Sequence, residues 1–500
     1  MTQISRHAPP KAGAMMEALR GLGYSTAAAL ADVVDNAVSA GAAEARLHFD
    51  WNGAESRISI LDDGRGMSDA ELEAAMTLGT INPLDERAPT DLGRFGMGLK
   101  TASFSQCRRL TVASKREGGA VVCLRWDLDA IAADPESGWL MFEGPAPGSE
   151  QFIEPLAGLR SGTLVLWERM DRVVTSGSEL DHFADLTDDV ESRLAMTFHR
   201  LIEGPRADFR LLINGKPVAP WDPFMTGHPA KPWESPIARM LTPSGMVEAQ
   251  CHVLPHKDKL SEDDFLKAGG PEGWTFQQGF YVYRNRRLLV AGGWLGLGRG
   301  RGRAWNREES HRLARIRVDI PNSADADWKI DVKKSTARPP VFARSWLTSL
   351  AENTRERARK VFAFRGSPMP GPGGAHVEQA WRVERLRSGI RYRLDDAHPA
   401  IAAVLEACWE RKDLVRAMLR VVEETVPIQR IWLDTAENKD TPRTGFEGEP
   451  NAAVVEVASV LFNDLIERKG LSVEEARTSM LQTEPFQKYP MLIATLGENQ

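Results

Sequence analysis

Along residues 26–40, TAAALADVVDNAVSA, the apolar side chains of Leu30, Val33, Val34, Ala37 and Val38 recur at the spacing of one helix face. The stretch 13–40 therefore reads as helix, with Ser25 or Thr26 able to cap its second half and Gly41 ending it. The pattern then switches to alternation. Residues 44–51 and 56–61 read as two antiparallel strands joined by Asn52-Gly53. A helix follows at 69–78, where Ser68 and Glu71 have capping-box spacing. Strands are predicted at 108–114, 120–127 and 163–167, with a loop at about 133–162. The polar stretch 81–91, with two prolines, reads as a loop able to close over a ligand.

Further on, DFRLLINGKPV reads as strand, Asn214-Gly215 turn and strand, and GFYVYRNRRLLVAGGW repeats that form. Residues 312–320 make a strand stopped by Pro321, and 342–362 make a helix. In WKIDVKK, Trp328, Ile330 and Val332 alternate with polar residues, which predicts a strand presenting Lys333 or Lys334 at its end. The Pro- and Gly-rich run at 365–375 reads as a linker, and helices are predicted at 376–387, 398–410, 411–424, 450–468 and 473–481. The expected organisation is an α+β domain over 12–185, a second α+β domain over 186–362, a linker at 363–375 and a helical region over 376–500. That last region offers a bundle, a dimerisation element or a docking surface for a protein partner.

Composition narrows the function classes. The 500 residues are 42% hydrophobic and 26% charged with a formal net charge of -6, an ordinary soluble balance that argues against wholesale coating by nucleic acid. A local basic run from Arg284 to Arg317, interleaved with Trp294 and Trp305, could still grip a phosphate backbone such as that of DNA, or be a solvated face. Cys107, Cys123, Cys251 and Cys408 are too scattered for a metal cluster or a disulfide framework. No apolar run approaches membrane-spanning length, and the first residues are polar, so a cytoplasmic location is expected.

Chemistry concentrates in three stretches. Asp32 and Asn36 are four apart and share a helix face, where the carboxylate can orient a water and the amide oxygen can complete the shell of a bound Mg²⁺; a solvent-facing pair is the alternative. Asp62 ends a strand and is followed by Gly64 and Gly66, so it can accept from the exocyclic amine of a base lying flat on the backbone, or simply form a turn. The run LGRFGMGLKTASF brings Gly93, Gly96 and Gly98 to a helix start beside Lys100, which suits phosphates. Thr163 could make a second contact to a purine ring or be an ordinary strand threonine.

In order and spacing these segments resemble the ATP-binding domain shared by DNA gyrase B, MutL, Hsp90, MORC proteins and histidine kinases, the GHKL superfamily. The resemblance is carried by DVVDN, DDGRGM, GRFGMGLKTAS and the Gly162-Thr163 pair. It implies a two-layer α/β sandwich of the Bergerat type that binds ATP with Mg²⁺. Asn36 would hold the metal, and Asp62 would read adenine with Gly64, Gly66 and Met67 behind it. Gly93, Gly96, Gly98, Leu99 and Lys100 would serve the phosphates and lid, with Thr163 near the base. The middle region resembles the transducer domain (ribosomal S5 domain 2-like) of the gyrase, MutL and MORC branch, with YRNRRLL especially like MutL and MORC. By that likeness Lys333 or Lys334 would reach the γ-phosphate.

One departure stands out. Hydrolysing relatives usually carry glutamate where this chain has Asp32, one methylene shorter. Either the helix sits closer to the γ-phosphate, or turnover is slow, or ATP acts mainly as a conformational clamp, since a base set back by about 1 Å can cost on the order of a hundredfold in rate. The resemblance implies an ATPase that dimerises in its ATP state, of the DNA-processing or phage-defence kind. An Hsp90-like chaperone and a non-hydrolysing ATP-gated module are the alternatives.

Overall fold

The computed structural model describes the chain except for residues 1–9, 22, 81–97, 135–137, 205–206, 299–303, 326, 332–333, 364–377, 387–388, 429–430, 432–449, 451, 484–485 and 498–500. The chain divides into two compact units, 1–366 and 367–500.

The first unit opens with α1 (Ala12–Arg20) and α2 (Thr26–Ser39), so the helix predicted over 13–40 is broken near Gly21 and Gly23. Ser25 is the cap, its hydroxyl accepting from the Ala28 amide. Then come β1 (Glu44–Asp50), β2 (Arg57–Asp62), α3 (Asp69–Met76), α4 (Gly98–Gln106), β3 (Arg109–Lys115), β4 (Val121–Asp127), α5 (Leu128–Ala133), β5 (Phe142–Glu143), α6 (Glu150–Ala157), β6 (Gly162–Glu168), α7 (Leu180–Ile202), β7 (Arg210–Ile213) and β8 (Lys216–Pro217). These strands form one eight-stranded sheet in the order β5-β4-β3-β6-β2-β1-β7-β8. Its main core gathers Leu30, Val33 and Val34 of α2 with Leu47, Phe49, Ile58, Ile60 and Trp167. Leu156 of α6 covers the other face beside Ala113, Leu164 and Leu166, so the expected loop at 133–162 contains a helix.

Alternation in β2 has a consequence for the site. Ile58, Ile60 and Asp62 occupy successive inward positions, so the period that buries two isoleucines also carries a carboxylate to the core face.

The hairpin at 210–217 departs from the predicted division at residue 185. It extends the first sheet, because Leu211 and Ile213 are buried where β7 runs parallel to β1. The second sheet then comprises β9 (Trp233–Glu234), β10 (Ala238–Thr242), β11 (Gly245–Val253), β12 (Gly279–Arg284), β13 (Arg287–Ala291) and β14 (Ala314–Ile320), with α8 (Glu262–Gly269) between β11 and β12. Its path is β10-β11-β14-β12-β13, with β9 on β11. One face packs Val247, Cys251, Val282 and Ile316 on α9 (Val341–Ala363) through Ala343, Leu347 and Ala351. Tyr281 and Tyr283 point the other way, onto Met196 of α7 and Phe224. His199 Nε2 lies 2.8 Å from the Tyr283 hydroxyl, and Arg200 pairs with Asp319 at 2.6 Å, so α7 bridges the two sheets.

The described residues of WKIDVKK do not form the predicted strand. Trp328 and Ile330 are buried as the alternation required, but 327–329 form a turn, and Lys329 and Lys334 have positive φ. The arginine run is also not a continuous surface. Arg284, Arg287, Arg312 and Arg315 are buried, Trp294 lies in the second core with Trp305 packed against it, and Arg299, Arg301 and Arg303 lie outside the described residues.

The second unit holds a hairpin, β15 (Trp381–Leu386) and β16 (Gly389–Leu394), where a helix over 376–387 was predicted. Trp381 opposes Leu394 and Val383 opposes Tyr392, cross-strand pairs that favour the extended form over a helical turn. Helices Pro399–Ala407, Lys412–Thr425, Ala452–Glu467 and Val473–Leu481 match the predicted ones, and Ala403 of the first, Leu461, Phe462 and Leu465 of the third and Met480 of the fourth share one core. Among the described residues no helix is long and apolar enough to cross a membrane.

Candidate nucleotide-binding site

Helix α2 is the spine of the site. Its apolar stripe fixes its roll on the sheet, and that roll leaves Asp32, Asn36 and Ala40 in a row one turn apart. Eight residues of helix span about 12 Å, the scale of an extended nucleoside triphosphate.

At the Ala40 end sits the glycine turn after β2. Asp62 Oδ1 accepts from the Gly64 amide at 2.9 Å, and the Arg65 amide donates to the Ala40 carbonyl at 3.1 Å. Gly64 is close-packed, since a Cβ there would lie 2.8 Å from that of Ala40. Gly66 has φ +66°, and a Cβ on it would come within 1.9 Å of the Lys115 carbonyl oxygen, so both conformation and space demand glycine. Burial pushes the Asp62 carboxyl up to about 6, against the opposing pull of amides at Gly64 and Thr163, while Asp63 adds a like charge.

Thr163 stands opposite Asp62 in the β2–β6 register. Its hydroxyl is 2.9 Å from that of Ser114, which accepts from the Met67 amide at 2.8 Å and donates to the Gly162 carbonyl at 3.0 Å. Ser114 thus joins the Asp62 strand end, Met67 and Thr163. No motif announces it; only the β3–β6 register brings it there.

At the Asp32 end lies the start of α4. A Cβ on Gly98 would be 3.8 Å from Asp32 Oδ2, so the carboxylate lies close to the helix N-terminus where amides point outward. Leu99 is half-buried against the main core. Lys100 is buried, and its ammonium donates to the carbonyls of Ala75 at 2.9 Å and Thr77 at 2.7 Å, closing the end of α3. Burial lowers its ammonium to about 8. Gly93 and Gly96, with the loop at 81–91, lie outside the described residues.

Asp32 is buried and doubly engaged. Its Oδ2 accepts from the Tyr24 hydroxyl at 3.1 Å, and its Oδ1 accepts from Lys334 Nζ at 3.1 Å. Burial and the Asp32 charge together raise the Tyr24 hydroxyl above its usual range, keeping it a donor. Lys334 also reaches Asp35 at 2.5 Å, and Asp35 accepts from Arg287 Nε at 3.1 Å. Burial alone would raise the Asp35 carboxyl, but the Arg287 guanidinium and Lys334 ammonium hold it below its ordinary value. Of the two candidate lysines, Lys334 is thus brought to Asp32; Lys333 lies outside the described residues. Tyr24 and Ser114 escaped the sequence reading, which takes Asp35 only as a structural neighbour and Arg287 only as part of the basic run.

Asn36 is exposed on the same row as Asp32. A single amide oxygen beside a site for phosphates fits Mg²⁺, which keeps waters and takes most of its remaining ligands from phosphate oxygens. Among the described residues no three His, Cys, Asp or Glu side chains gather as a metal cage.

Comparison with known proteins points to the same part of the chain. Residues 24–155 match the family described as histidine kinase-, DNA gyrase B-, and HSP90-like ATPase. Ninety residues are 33% identical to ATPase morc-1 of Caenorhabditis elegans, covering 18% of this chain and 10% of that protein. Ninety-three residues are 33% identical to the DNA mismatch repair protein MutL of Rickettsia akari, and the same holds for Rickettsia felis, covering 18% of this chain and 15% of each relative. The matched stretch thus spans 10% to 15% of the length of these relatives. The family match over 24–155 includes Asp32, Asn36, Asp62 and the glycine segment. The N-terminal part of this chain is a GHKL-superfamily ATPase domain, with its polar row laid along α2.

Proposed function

We propose that this protein binds ATP with Mg²⁺ along α2 and hydrolyses it slowly, its nucleotide state setting the position of the second sheet. The observation that carries the reading is the row Asp32–Asn36–Ala40, with the buried Asp62 turn at one end and the Asp32–Lys334 contact at the other. Asp62 accepts the exocyclic amine of adenine. The α4 N-terminus and the glycine segment hold the phosphates, and Asn36 holds Mg²⁺, which neutralises phosphate charge when bound. Asp32 orients the attacking water. Lys334, or Lys333 beside it, moves to the γ-phosphate and so carries the state of the site into the second, transducer-like domain.

Calorimetry with ATP and Mg²⁺ tests this directly, with uptake expected for wild type. Phosphate release is expected to fall about a hundredfold in Asp32→Asn while ATP still binds. No uptake by folded wild type would overturn the reading. Partial likeness to a DNA mismatch repair protein supports a DNA-linked role over a chaperone, and N-terminal dimerisation in the ATP state belongs to the same proposal. The buried arginines restrict any basic contact surface to the rest of the Arg284–Arg317 run. Salt-sensitive DNA binding, and a mass increase with a non-hydrolysable ATP analogue, are the corresponding measurements.

A further inference from the structure

Asp35 has no part in the chemistry just described, yet it is 1% exposed and carries two cations. Both come from the second domain. Arg287 opens β13; Lys334 sits on the loop beyond β14. The four groups form one buried set: Lys334 touches Asp32 and Asp35, and Arg287 lies 3.1 Å from Asp35 and 4.0 Å from Asp32. Two carboxylates face two cations, so the set is balanced.

The β12–β13 turn braces this set from a second side. Arg284, paired with Arg287 across the hairpin, binds Asp325, whose carbonyl accepts from the Ile330 amide. The loop is then pinned at Asp331, whose carboxylate accepts from the amides of Ser335 at 2.7 Å and Thr336 at 2.8 Å. One hairpin turn therefore grips both α2 and the base of the loop that presents Lys334.

We propose that Asp35 and Arg287 are positioning residues: together they hold Lys334 against Asp32, and Arg287 stays behind as counterion when that lysine leaves for a triphosphate. The proposal rests on the nucleotide reading above. Its physical core is charge balance. When Lys334 departs, Arg287 remains as counterion, so the buried set carries one excess negative charge. Without Arg287, two carboxylates one turn apart would be left uncompensated, and their attraction would hold the lysine back.

The test is a charge-balanced cycle on the full chain. Arg287→Met should lower kcat for phosphate release at least about tenfold while the ATP Kd from calorimetry stays within about threefold. Asp35→Asn combined with Arg287→Met rebalances the set and should return kcat to within about threefold of wild type. Arg287→Lys keeps the cation and should hold kcat within the same limits; it also serves if Arg287→Met does not fold. Equal losses in Kd and kcat, or a double variant worse than the single, would mean that the pair is only a structural bracket and overturn the proposal. So would an Arg287→Met enzyme with wild-type kcat, or an Arg287→Lys enzyme as slow as the methionine variant. Wild type that takes up no ATP would remove the nucleotide reading and this proposal together. Uptake by wild type with an unaltered Arg287→Met enzyme removes the proposal alone.

Discussion

Asp62→Asn should stabilise the nucleotide-free protein at neutral pH while destroying its hold on adenine. The alternation of β2 forces a carboxylate into a core position, and burial lifts it from its ordinary 3.8 to about 6. At about 1.36 kcal/mol per tenfold change, the folded chain is penalised by about 3 kcal/mol once the group is fully ionised. Because the folded value lies above the unfolded one, protonation favours the folded chain. The contribution is fully stabilising below about pH 3.8 and is lost as pH rises through about 6. Asparagine keeps an oxygen for the Gly64 amide and never ionises. Urea unfolding of the first unit should therefore give a variant more stable by about 3 kcal/mol at about pH 8, by about half that at about pH 5, and by little near pH 4. ATP affinity should move oppositely: the wild type should lose affinity as pH falls below about 6, and the variant should be weak throughout. A stability gap independent of pH, or a wild type that is the more stable at pH 8, would refute the reasoning.

Other substitutions probe other links. Ser114→Ala removes a hydroxyl bonded to Met67, Gly162 and Thr163, and should cost about 1–3 kcal/mol in denaturant melts and about tenfold in ATP Kd. Gly66→Ala drives a Cβ into the Lys115 carbonyl at positive φ and should cost about 3 kcal/mol or more, seen as loss of the cooperative thermal transition at growth temperature. Lys100→Met leaves the carbonyls of Ala75 and Thr77 without their donor and should lower stability by about 1–3 kcal/mol even without nucleotide, measurable by urea unfolding.

Much of the first domain was legible from local pattern. The α2 stripe, the β1–β2 hairpin, the Ser68–Glu71 capping box and the strands around Ser114 and Thr163 depend on periods and caps that short stretches specify. The same periodicity misled where an apolar run was short. Residues 381–386 pair across a hairpin instead of forming a helix, and the described residues of WKIDVKK bury Trp328 and Ile330 without making a strand. Local pattern also could not assign strands to sheets. The hairpin at 210–217 joins the first sheet because β7 finds an open parallel edge on β1, a partner more than 150 residues earlier.

The sequence by itself determined which residue types could read a base, orient a water and receive phosphates, because those roles sit on neighbouring turns of one helix and one strand end. Only the tertiary structure decided what surrounds them. Asp35 looked like a structural neighbour until Arg287, 252 residues away, and Lys334, 299 residues away, converged on it. The basic run looked like one surface until Arg284, Arg287, Arg312 and Arg315 turned inward. The reason is that a side chain's face follows from a period of a few residues, whereas its counterion is set by which distant elements pack together, and buried charge makes that pairing matter.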